Sequence, residues 1–108
     1  MLSKEQLLAK RKFKTITLDV DELGGQVCLR EMSGTQRDQF ELSLREADES
    51  SSSVRALFVS FHLCDADGEL FEFSDAEREQ LGDNGPGSVL DFLFDKCREL
   101  SGMDESGN

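Results

Sequence analysis

The sequence predicts an α+β domain, an N-terminal β-hairpin followed by a small bundle of three to four helices. Three observations carry that expectation. Residues 13–20 alternate, with Ile16, Leu18 and Val20 on one face and Thr15 and Thr17 on the other, the period of a half-buried strand. A turn rich in acid and glycine, Asp21-Glu22-Leu23-Gly24-Gly25, returns the chain into a second stretch at 26–31, with Val27 and Leu29 inward. Beyond residue 33 the apolar spacing becomes helical, and hydroxyl or glycine punctuation marks the helix ends.

Residues 1–12 are read as a basic arm, a frayed helix at most, because a helix this short is marginal in water. After the hairpin a helix starts near Ser33 or Thr35, where a hydroxyl accepts from a free backbone N–H and Asp38 suits the first turn. Phe40, Leu44 and Ala47 share one face of it, with Leu42 off that face. The polar run DESSSS at 48–53 predicts a loop. Residues 54–64 are apolar nearly all round, the texture of a helix buried in the middle of a fold. A strand competes there, since Leu57, Val59, Phe61 and Leu63 also alternate; length and few β-branched residues favour the helix.

Asp65-Ala66-Asp67-Gly68 ends that element, and 69–73 is briefly extended. Ser74-Asp75-Ala76-Glu77 matches a capping box and opens a short acidic helix to Leu81. The last helix is expected from Ser88, as N-cap, to Ser101, with Gly102 ending it and 103–108 a disordered acidic tail. The domain is thus placed at 13–102.

No motif points to catalysis, and no cofactor is called for. His62 is the only histidine, on an apolar element, and reads as a hydrogen-bonded packing residue. A calcium loop starting at Asp65 would need glycine at its sixth position and glutamate at its twelfth; Gly68 and Ala76 fall at the fourth and twelfth. Cys28, Cys64 and Cys97 are odd in number, widely spaced and without a CxxC, against a zinc site or a disulfide framework. They read as small core residues in a reducing cytosol. No signal peptide or membrane-spanning run is seen.

Charge is unevenly placed. Residues 1–14 hold five cations against one carboxylate, a net +4, which leaves −15 on the other 94 residues of a chain whose total is −11. An acidic body repels phosphate backbones, so nucleic acid is not an expected partner. On the last helix Val89, Leu90, Leu93, Cys97 and Leu100 cover one side, and Phe92 and Phe94 extend its two edges. An arc this wide either packs against two neighbours or leaves one edge for another protein. Leu90, Phe92 and Phe94 are the candidate partner-binding residues.

The order of these features resembles the small tail assembly chaperones of long-tailed bacteriophages. It rests on the hairpin, the Leu29-Arg30-Glu31-Met32-Ser33 passage into a helix, the apolar helix broken before Phe71, and the closing Leu100-Ser101-Gly102. The resemblance implies a non-enzymatic cytoplasmic factor, absent from the finished virion. Such a factor binds the tape-measure protein, keeps it soluble and helps recruit tail-tube protein. It also implies a longer, frameshift-extended form of the same chain as a partner, and weak self-association is expected. Two rival readings stay open: an acidic phage protein that imitates DNA charge to inhibit a host nucleic-acid-binding protein, and a structural head–tail connector component.

Overall fold

The computed structural model describes residues 1–46 and 54–102. Ala47, the serine run and the expected acidic tail lie outside the described residues. Helices α1 (Lys4–Leu8), α2 (Gly34–Glu46), α3 (Val54–Ser60), α4 (Asp75–Asp83) and α5 (Gly87–Leu100) accompany strands β1 (Thr15–Val20), β2 (Gly25–Arg30) and β3 (Leu63–Cys64). The fold is α+β, as the sequence predicts.

The hairpin forms in the expected register. Ile16 lies opposite Leu29 and Leu18 opposite Val27, so one apolar face turns inward while Thr15, Thr17 and Asp19 face out. Residues 21–23 make a single 3₁₀ turn closed by Gly24, whose φ of 77° lies where a side chain is strained. α2 starts on a capping box: Gln36 N–H donates to Ser33 Oγ at 3.1 Å, and the Gln36 side-chain oxygen accepts from Ser33 N–H at 2.8 Å. Ser74 and Glu77 repeat the device at α4. α5 begins one residue before the expected cap; Ser88 sits inside the first turn, and Pro86 holds the cap position.

One element departs from expectation. The apolar stretch is helical only to Ser60, where Phe61 and His62 N–H groups donate to the Phe58 and Val59 carbonyls in tighter bonds. Leu63 and Cys64 then pair antiparallel with β2, making a three-stranded sheet of order β1-β2-β3. The helical and alternating patterns coincide over this stretch, and its end joins the free edge of β2, where backbone groups gain ladder partners. The hairpin is therefore part of a larger sheet.

α3 lies at the centre, its residues 56–60 all buried, packed against α2, α4 and α5. Phe58 anchors the aromatic core, edge-on to Phe40 at 5.0 Å and to Phe94 at 5.4 Å between ring centroids. α1 carries no buried residue.

Candidate partner-binding surface

α5 divides its apolar arc by depth. Val89, Leu93 and Cys97 are buried against the core, while Leu90, Phe94 and Leu100 are half-buried beside it. Phe92 is 40% exposed. The three candidate partner residues therefore occupy different settings. Leu90 helps line an apolar groove of about 210 Å³ between the end of α4 and the start of α5, together with Leu23, Leu81, Pro86, Val89 and Leu93. Phe92 lines a neighbouring depression of about 260 Å³ with Val89, Asp19, Asp21 and Glu22. Val89, itself buried, lines both, so the two depressions adjoin at the start of α5 in one surface region.

Phe94 sits away from that surface, its ring edge-on to Phe58 and flanked by the guanidinium groups of Arg55 and Arg98 at 5.5 and 5.6 Å. Arg55 also pairs with Asp91 at 3.0 Å across an exposed face. Leu23, which sequence reasoning passed over as a turn residue, is 52% exposed and completes the groove from the hairpin side. Its apolar side chain in an otherwise acidic and glycine-rich turn was the available signal. All the ionisable residues lining the combined surface are acidic.

The remaining chemical groups serve the fold. His62 is fully buried, with Nδ1 at 2.8 Å from the Phe58 carbonyl and Nε2 at 2.7 Å from Ser101 Oγ. A carbonyl only accepts, so Nδ1 carries the hydrogen and Nε2 accepts from the serine hydroxyl. Burial chiefly lowers the imidazole pKa, the Phe58 bond opposes this, and the Arg37 charge lowers it further. A neutral imidazole fastened at both nitrogens is a packing device, as its apolar setting predicts.

Cys28 and Cys64 are directly paired across β2 and β3, an adjacency their sequence spacing conceals. The Cys64 thiol is pushed up to about 12, first by burial and then by its hydrogen bond with Cys28; burial alone pushes Cys97 up to about 12. The Asp65 carboxylate accepts from the Asp67 and Glu69 amides at 2.9 and 3.0 Å, which makes it a turn-former. Among the described residues no group of three or more His, Cys, Asp or Glu is placed to hold a metal ion.

The passage that enters α2 is a structural joint. Arg30 stacks over Phe13 at 4.2 Å, donates to the Gly68 carbonyl at 3.1 Å, and through its backbone N–H to the His62 carbonyl at 2.7 Å. Glu31 and Lys14 exchange bonds across the start of β1, amide to carboxylate at 2.8 Å and amide to carbonyl at 3.0 Å. Among the described residues no helix is long and apolar enough to cross a membrane.

No family model matches the chain, and no curated protein matches it. Among solved structures it is similar to the bacteriophage HK97 tail assembly chaperone, with a TM-score of 0.63 and 27% identity over 90% of each chain. The resemblance read from Leu29 through Ser33 and from Leu100 through Gly102 is thus met by a likeness of fold and sequence, and it is to a phage tail assembly chaperone that this chain is similar over nine-tenths of its length.

Proposed function

We propose that the chain is a non-enzymatic phage tail assembly chaperone. In this reading it binds the tape-measure protein, keeps it soluble, and promotes assembly of tail-tube protein around it. The observation that carries the reading is the end-to-end likeness to the HK97 tail assembly chaperone. Two features suit it physically. The surface holding Leu23, Leu90 and Phe92 offers apolar area to a client helix. The net charge of −11 opposes aggregation of the complex. Leu90 and Phe92 contact the client first, and Phe94 contributes the ring edge left accessible between its two arginines.

The same reading gives the partners. Tape-measure protein, tail-tube protein and a frameshift-extended form of the chain meet in the host cytoplasm, and the chaperone leaves before the virion is complete. Affinity capture of the tagged chain from infected cells tests this. Tape-measure protein is expected in the eluate, while purified particles contain none of the chain. Stoichiometric incorporation into particles would replace this reading with the connector.

A further inference from the structure

A second cleft, to which α5 contributes no lining residue, holds two guanidinium groups that the fold uses only in part. It measures about 420 Å³ and lies where the end of β2, the first half of α2, the end of α3, the extended segment 69–73 and the start of α4 meet. Arg30 is fixed by its stack on Phe13 and its Nη1 bond to the Gly68 carbonyl, yet its Nε is buried without a hydrogen-bond partner. Arg78, its side chain 23% exposed, lies over Phe61 at 4.8 Å and donates from Nε to Ser60 Oγ at 2.9 Å. Its acidic contact is Asp75 at 3.5 Å, a side chain fully in solvent. A guanidinium carries five donors, so both groups keep N–H bonds unmade, and a buried charged donor left unpaired is costly.

The facing wall is an open backbone edge. Asp65 N–H donates to the Glu69 carbonyl at 2.9 Å and Phe71 N–H to the Leu63 carbonyl at 3.0 Å. Leu70 is thereby the non-hydrogen-bonded partner of Cys64, and its own N–H and C=O point away from β3. Among the described residues neither group has a partner. Gln36 and Gln39, one turn apart on α2, add carboxamides to the cleft. Glu69 and Glu72 line it too, but both are exposed to solvent whereas the two arginines are half-buried.

We propose that this cleft receives an extended peptide segment of a partner protein, paired with the backbone edge at Leu70 and carrying one carboxylate side chain to Arg30 and Arg78. The edge selects extended chain, because a helix already uses its own backbone groups. The planar guanidiniums select a carboxylate, which accepts two parallel N–H bonds. The exposed glutamates disfavour a run of acids or a phosphate backbone, so the carboxylate stands alone among neutral residues. This site is separate from the surface proposed above for the client and does not depend on that reading.

Titration of the isotope-labelled full chain, followed by its amide and arginine Nε–H NMR signals, tests it. The probe is the blocked peptide acetyl-Thr-Val-Glu-Val-Thr-amide at millimolar concentration. Saturable shifts are expected at Leu70, Arg30 and Arg78, with binding about tenfold weaker when glutamine replaces the peptide's glutamate. Arg78→Gln, and Arg78→Lys as the variant that keeps the charge without the fork, are checked for folding by circular dichroism. Each is expected to lose affinity for the glutamate peptide while binding the glutamine peptide as the parent does, a difference that a merely structural role of Arg78 would not produce. Absence of shifts overturns the proposal, as does a glutamine peptide that binds equally. A backbone N-methylated peptide that binds unchanged rules out pairing at the edge, and inorganic phosphate giving the same shifts reduces the site to one for free anions; either result overturns it.

Discussion

The Nε2 atom of His62 accepts from the hydroxyl of Ser101 at 2.7 Å, joining residues 39 apart in sequence. The bond fastens the turn between α3 and β3 to the end of α5, and the Ser101 carbonyl in turn accepts from Arg37 of α2 at 3.0 Å. Three helices and the sheet thereby meet at one serine. Ser101→Ala leaves a buried imidazole nitrogen unpaired and is expected to cost about 1–2 kcal/mol in chemical denaturation. His62→Ala also opens a cavity and is expected to cost about 3 kcal/mol.

His62 gives this joint a pH dependence of defined sign. Its folded pKa lies below the ordinary 6.5 because burial penalises the imidazolium. As pH falls through 6.5 the unfolded chain takes up the proton first, and the native state loses stability until folded His62 protonates too. The stabilisation is complete above 6.5 and erodes below it. The advantage of the parent over His62→Gln, measured by urea unfolding, therefore narrows as pH falls below 6.5. A constant gap would show that the imidazole does not titrate differently on folding.

Phe92 and Phe94 separate by what they touch. Phe94→Ala removes a ring packed edge-on against buried Phe58 and is expected to cost about 2–3 kcal/mol. Phe92→Ala removes a partly exposed ring that meets the Lys96 ammonium at 5.7 Å, and should cost about 1 kcal/mol, less than Phe94→Ala. Thermal unfolding of the two variants beside the parent checks the order.

The three thiols should differ in reactivity. Cys64 and Cys97 are buried, with pKa values pushed up to about 12, so little nucleophilic thiolate exists at pH 8. Cys28 is only half-buried. A disulfide exchange reagent is expected to titrate one thiol per native chain at about pH 8, and all three after denaturation. Rapid modification of Cys64 in the native chain would contradict its burial in β3.

Local chemistry made much of this molecule legible in sequence. The inward set Ile16, Leu18, Val20, Val27 and Leu29 follows from alternation, and the Ser74–Glu77 cap from its spacing. Phe92 as an edge of a wide apolar arc was also readable, since helical geometry alone sets it outside the stripe of Val89, Leu93 and Cys97. What escaped depends on distant pairing. Leu63 and Cys64 join the sheet because β2 offers an edge, and the adjacency of Cys28 and Cys64 follows from that register. The partnership of His62 with Ser101, and the contribution of Leu23 to the α5 groove, likewise require the chain to be folded before they exist.

A chaperone of this kind is measured by the protection it gives its client. The tape-measure protein is to be expressed alone, with the parent chain, and with Leu23→Glu and Phe92→Glu together, and its soluble fraction compared. The parent is expected to hold most of the client in solution and to co-elute with it, while the folded double variant leaves it in the pellet. A client that precipitates equally with the parent chain, or that needs no chaperone to stay dissolved, would contradict it.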